Sequence, residues 1–174
     1  MIATTDDVMV SVTVPDRIAV SNNGAVCSRK VNHAFVPCEV PAAGTFQAIV
    51  KALDASSHSV IGPAQPRLLV IPIHDEEGAV TGGFWGATMF EWLHVGMLFV
   101  PETMRGQGVG AALMASAETE ARKRGCRGAY VDTFSFQAAP FYQKLGFTLF
   151  GVLEDYPPGH RQLYFRKSFE QSHR

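Results

Sequence analysis

Leu98-Phe-Val-Pro-Glu-Thr-Met-Arg105-Gly-Gln-Gly108-Val-Gly110-Ala-Ala-Leu-Met114 decides how the chain is read. An apolar run over residues 95–100 stops at Pro101, and a short polar stretch follows. Glycines then alternate at 106, 108 and 110 before an alanine-rich helical pattern begins. The order is strand, loop, helix. Glycine lets the backbone come close to a ligand, because no Cβ stands in the way. The first amides of a helix have no internal acceptor and lie at the positive end of its dipole. Together these features make an anion site, suited to phosphate, that needs no lysine. Arg105 can add a charge-assisted hydrogen bond.

Two phosphate ligands compete for this loop. Gly106-x-Gly108-x-x-Ala111 fits the dinucleotide fingerprint, with Asp132 about twenty residues on as the ribose-binding acid. That fingerprint wants a tight turn straight off the strand, but residues 101–104 intervene, and too little chain follows for a second mononucleotide half. The nucleotide-hydrolase pattern GxxxxGK[ST] is absent.

Outward from the loop, the chain bounds its own class. Its 174 residues suffice for one globular domain with a real core. A net charge of −1 with no basic patch argues against nucleic acid as a partner. The apolar stretch over residues 84–100 is broken by Glu91 and His94, so no membrane span is expected. Three cysteines (Cys27, Cys38, Cys126) are odd in number and not spaced like metal ligands. They fit reduced thiols in a cytoplasmic protein. The six histidines form no HExxH pattern, so no metal is expected, and no GxSxG elbow is present.

The elements read as follows. Val8-Met-Val-Ser-Val-Thr-Val14 is β-branched, and Ser21-Asn-Asn-Gly24 is a turn, so a β-hairpin is expected over residues 8–31. A strand broken by Pro37 follows over 33–40, then an amphipathic helix over 45–57 carrying Phe46, Ile49, Val50 and Leu53. Strands are expected over 68–73, 79–90 and 93–100. Strict alternation in the last puts His94, Gly96, Leu98 and Val100 on one side. A helix over 109–124 turns Val109, Ala112, Leu113, Ser116, Ala117 and Ala121 inward and stops at Gly125. A strand over 128–133, a short helix from Phe136 or Gln137 to Lys144, and two strands over 147–153 and 162–167 complete the chain. The class is α/β: a mixed central β-sheet flanked by helices, with an extra N-terminal β-hairpin. The domain limits are a β extension over 1–31 and the main domain over 32–174.

Two blocks carry a family resemblance. Arg105-x-x-Gly108-x-Gly110 resembles the acetyl-CoA-binding loop of the GNAT superfamily of N-acetyltransferases. Ala138-Ala-Pro-Phe-Tyr142-Gln-Lys-Leu-Gly146-Phe147 is similar to that family's A-x-x-x-Y-x-K-L-G-F helix. The likeness spans residues 68–168 in order and spacing. It implies transfer of an acetyl group from acetyl-CoA to a primary amine, on a small molecule or a protein, by direct attack in a ternary complex. Homodimers are a habit of the family.

The resemblance also assigns roles. Leu98, Phe99 and Val100 would meet the pantetheine arm. Arg105, Gly106, Gln107, Gly108, Val109, Gly110 and Ala111 would surround the diphosphate. Ser135 stands where the family usually has Asn, so one side-chain contact to CoA departs from the pattern. Tyr142 matches the tyrosine that protonates the departing sulfur. His94 matches a position where several members carry a catalytic glutamate, and imidazole suits a general base. Glu91, a water relay or a low-pKa substrate amine are the alternatives. Trp85, Glu91, Trp92, Tyr156 and His160 are the acceptor-pocket candidates. A non-catalytic acyl-CoA-binding or regulatory module and an NAD-type oxidoreductase are the rival functions.

Overall fold

The structure, a computed structural model, describes residue 37 and residues 39–169. The expected hairpin over 8–31 lies outside the described residues, as does most of the strand expected over 33–40; Glu39 and Val40 form a bend. Among the described residues, those up to Ala64 belong to one compact unit and those from Gln65 onward to another. The first holds helix α1, Thr45–Ile61, which runs four residues past the expected end and closes where the Gly62 amide donates to the His58 carbonyl.

The second unit is built on strands β1 (Arg67–His74), β2 (Val80–Met89), β3 (Trp92–Phe99), β4 (Gly128–Phe134), β5 (Thr148–Glu154) and β6 (Arg161–Ser168). Helix α2 (Val109–Lys123) connects β3 to β4, and α3 (Ala139–Lys144) connects β4 to β5. The six strands form one sheet in the order β1-β2-β3-β4-β6-β5. Among the described residues, only β3 and β4 run parallel; every other neighbouring pair is antiparallel. The expected mixed sheet is therefore present. The NAD-type alternative is overturned, because a dinucleotide fold needs a doubly wound parallel sheet.

One face of the sheet is the core. Phe84, Leu93, Val95, Ala129, Val131, Leu163 and Phe165 are buried there with Leu113, Met114, Ala117 and Ala121 of α2 and Tyr142 and Phe147. Full burial of a side chain the size of Phe84 or Met114 is worth about 1.5–3 kcal/mol. The inner face of α2 is rotated from the expected one: Met114 and Glu118 are buried, whereas Ala112 and Ser116 are exposed. Sequence periodicity misses Glu118 because it is charged. Its carboxylate tolerates burial because Lys167 Nζ on β6 donates to both its oxygens, at 2.7 and 2.9 Å, and Arg122 lies 3.4 Å away.

Strict alternation fails in β3. Trp85 pairs with Met97 but Gly86 pairs with Val95, so Gly96 is an extra residue, a β-bulge. Beyond it the parity reverses. Leu98 and Val100 pack against the core, on the side of Val95, while Met97 and Phe99 are exposed. His94 therefore does not share a face with Leu98 and Val100, as alternation had placed it.

Backbone contact at the bulge is close enough to require glycine on the neighbouring strand. A Cβ at Gly86 would collide with the His94 carbonyl, whereas one at Gly151 would meet only the Tyr164 side chain at 3.6 Å. G86A should destabilise the protein by about 1–3 kcal/mol, the cost of overpacking. G151A should leave it within about 0.5 kcal/mol of wild type. Urea denaturation of both variants checks this; equal effects would contradict it.

Candidate active site

β3 and β4 part in mid-sheet. Their parallel ladder runs from Trp92↔Gly128 to Val95↔Val131 and stops. Beyond it, β3 stays paired to β2 through Phe99↔Gly83, and β4 stays paired to β6 through Phe134↔Gln162. The two inner edges thus face each other across a gap, with backbone groups unsatisfied by a ladder. Such groups seek hydrogen bonds from whatever enters.

The glycine loop lies at the end of β3. A single 3-10 turn, Glu102–Met104, follows Pro101, and α2 begins from Gly108 in the left-handed conformation (φ 82°) with no side-chain cap. The first bond into the helix runs from the Ala112 amide to the Gly108 carbonyl. Among the described residues, the amides of Gly106, Gln107, Gly108, Val109, Gly110 and Ala111 donate to no other backbone group. A Cβ at Gly106 or Gly108 would meet nothing within 4 Å, so the loop surface is open. Gly110 is different: its Cβ would stand 3.4 Å from the Phe141 ring and 3.6 Å from Val100. Here α2, α3 and the end of the strand converge. An open run of free amides at a helix N-terminus has the donor chemistry a diphosphate requires.

Two loop side chains hold the loop to itself. Arg105 Nε donates to the Val100 carbonyl at 2.9 Å, and its guanidinium lies 3.5 Å from Glu102 and over the Phe99 ring. Gln107 Nε2 donates to the Thr103 carbonyl at 2.8 Å. Both shape the turn that presents the amides. The Val100 carbonyl is already engaged by Arg105, which leaves it one free lone pair.

Tyr142 is buried on α3 among Phe141, Phe147 and Phe165. Its hydroxyl has no hydrogen-bond partner among the described residues. Burial first, and the charge of Asp132 second, push its phenol up to about 12. His94 lies on the opposite face, stacked on Tyr130 with ring centroids 4.7 Å apart. Its Nε2 is 4.0 Å from Asp132 Oδ1, beyond hydrogen-bond length. Asp132 Oδ2 accepts from Gln162 Nε2 at 2.7 Å, and the Tyr164 hydroxyl donates to Gln162 Oε1 at 2.9 Å. The His94 imidazole foremost, with the Gln162 amide, holds the Asp132 carboxyl below the ordinary carboxylate range against the effect of burial.

The remaining expected residues divide by position. Trp85 lies beside the bulge, paired with Met97. Trp92 packs on Gly128, at the closed end of the β3–β4 ladder. Glu91 sits in the turn before β3, at the end away from the loop, 3.6 Å from Arg127. It is not brought to His94. Tyr156 and His160 form the β5–β6 turn, which packs on the open end of β4 through Phe134–Tyr156 and Phe136–His160 ring contacts. Ser135 anchors the same turn: its amide donates to the Arg161 carbonyl, and its hydroxyl accepts from the Arg161 amide at 3.2 Å.

Sequence reasoning missed Asp132, Gln162, Tyr130 and Tyr164 as a group. Asp132 entered only as a ribose-binding acid. The available signal was parity: Tyr130 and Asp132 share the face opposite the apolar Ala129 and Val131, where a carboxylate inside a strand needs a reason.

An acetyltransferase (GNAT) domain model matches residues 67–149. An acetyltransferase of Agrobacterium fabrum is 43% identical over 135 residues, spanning 78% of this chain and 98% of that protein. Blasticidin-S acetyltransferase of Streptomyces morookaense is 46% identical over 85 residues, 48% of this chain and 62% of that one. Among solved structures, an acetyltransferase from Bacillus cereus is similar at 33% identity with a TM-score of 0.68, covering 77% of this chain and 98% of that chain. With a relative so similar along nearly its whole length, the chain belongs to the GNAT family of acetyltransferases.

Proposed function

We propose that the protein is an acetyl-CoA-dependent N-acetyltransferase acting on the primary amine of a small molecule. The observation that carries this reading is the parting of β3 from β4 after Val95 and Val131, with the free-amide loop at one end of the gap. The similarity to an enzyme named for blasticidin-S as its acceptor supports the choice.

Acetyl-CoA, when bound, supplies an activated thioester carbonyl and a sulfur that can depart. The chain's own residues do the rest. Backbone amides over residues 106–111 would hold the diphosphate, and the unpaired edge of β3 at Leu98 and Phe99, with Val100 just beyond it, would hold the pantetheine arm. His94 takes a proton from the acceptor amine at its imidazole, since only an unprotonated amine attacks. Tyr142 holds a proton at its phenol oxygen for the departing sulfur. A phenol at about 12 stays protonated at every working pH, as an acid must. No covalent enzyme intermediate is needed, consistent with Cys126 being a buried free thiol.

Release of free CoA thiol in the presence of an amine panel tests the activity. Y142F should lower kcat by about 10²–10⁴ while the Kd for CoA stays within about threefold of wild type. An unchanged kcat would remove Tyr142 from the reaction. Total loss of CoA binding would make its role structural. The sign of the pH dependence follows from the same phenol: its protonated form is retained until pH passes about 12. The rate should therefore show no falling limb from Tyr142 below about pH 11. A limb near pH 9 to 10 that Y142F abolishes would contradict this.

A further inference from the structure

We infer that the Asp132 carboxylate, framed by Tyr130 and Tyr164 beside His94, anchors a second cationic group on the acceptor. The inference rests on the acetyl-transfer reading and names the chemistry its acceptor must carry.

Place is the first argument. Asp132 is the first β4 residue beyond the last β3–β4 pair, so it stands where the gap opens. It is the register partner of Tyr164 and lies two residues from Tyr130, the partner of His94. All four side chains share one sheet face by strand parity.

Unmet charge is the second. The side chain is 34% exposed, so its carboxylate is partly withdrawn from water. Oδ2 is held by Gln162, and the Tyr164 hydroxyl fixes the Gln162 amide with its nitrogen toward Asp132. Oδ1 has no hydrogen-bond donor among the described residues; His94 Nε2 is the nearest basic nitrogen, at 4.0 Å. No lysine or arginine among the described residues forms an ion pair with Asp132. A partly buried carboxylate with one oxygen held by the Gln162 amide and the other facing only His94, at 4.0 Å, gains from an incoming cation.

Shape is the third. Tyr130 and Tyr164 share the sheet face of the carboxylate, Tyr130 with one ring face stacked on His94, and aromatic ring faces attract cations. Planar guanidinium suits both partners, since it pairs with a carboxylate and stacks on a ring. The contrasting role would be a positioning one, in which Asp132 acts only through His94. A positioning residue would affect every amine alike, whereas an anchor discriminates.

Agmatine and n-butylamine provide the test, because they share a four-carbon amine and differ by the guanidinium. Initial rates of CoA thiol release give kcat/KM for each. Wild type should favour agmatine by about tenfold or more, and D132N should reduce that ratio about tenfold through KM, the loss of about one charge-assisted contact. D132E, which keeps the charge, should retain a preference for agmatine and shows that the effect is not one of folding. A ratio near one in wild type overturns the anchor. So does a ratio unchanged in D132N while both rates fall. If wild type releases no thiol with either amine or with any member of the amine panel, the acetyl-transfer reading fails by itself. Calorimetric titration of the CoA-saturated protein with agmatine then decides the anchor: binding that D132N abolishes supports it, and no binding to wild type overturns it.

Discussion

The sheet cannot stay closed beyond Val95 and Val131. One extra residue at Gly96 turns β3 against its own alternation, and the parallel ladder with β4 ends at that level. Each strand keeps its outer neighbour, so the parting costs only the hydrogen bonds of one inner seam. A bulge bends the strand and re-aims its side chains locally. The rest of the site follows from this. The β3 edge becomes available, His94 is left on one face at the vertex, and the loop at Gly106 and Gly108 hangs off the strand that has swung away.

The core side and the far side of the sheet then divide the labour. On the core side, Tyr142 is buried among aromatic rings, and burial keeps its phenol protonated. On the far side, His94, Asp132, Gln162 and Tyr164 form a polar group on three strands. Asp132 links the two faces electrostatically, since its charge reaches Tyr142, Tyr130 and Tyr164 alike. A reaction that takes a proton from an amine and returns one to a sulfur needs a base and an acid that do not neutralise each other. In the proposed reaction, His94 and Tyr142 on separate faces of one opened sheet would meet that need.

Much of this was legible in the residues. The apolar runs, the glycine loop and the stop at Gly125 locate every strand and helix from Arg67 onward to within two residues, apart from the start of α3. That helix begins at Ala139 because Gln137 Oε1 accepts from the Phe134 amide and holds the preceding residues in a turn. Three features were not legible. The glycine at 96 is the one local mark of the bulge, but strict alternation does not show the parity change, so it groups His94 with Leu98 and Val100, which the fold puts on the opposite face. Glu118 is buried by a partner 49 residues away in sequence, Lys167, and no local pattern reports that. Asp132 acquires its meaning only when β3, β4 and β6 are laid side by side. Glycine spacing announces a backbone-built site, but a side-chain site assembled across strands is visible only in the fold.

The measurement that bears most directly on the account is an amide 1H–15N titration of the protein with CoA. If the opened seam and the loop form one binding surface, amide signals from residues 106–111 and from the inner edges at residues 96–99 and 132–134 move together with one midpoint. Those of β1, on the far side of β2, stay in place. Saturation with CoA while the loop and the seam remain unmoved would contradict the account.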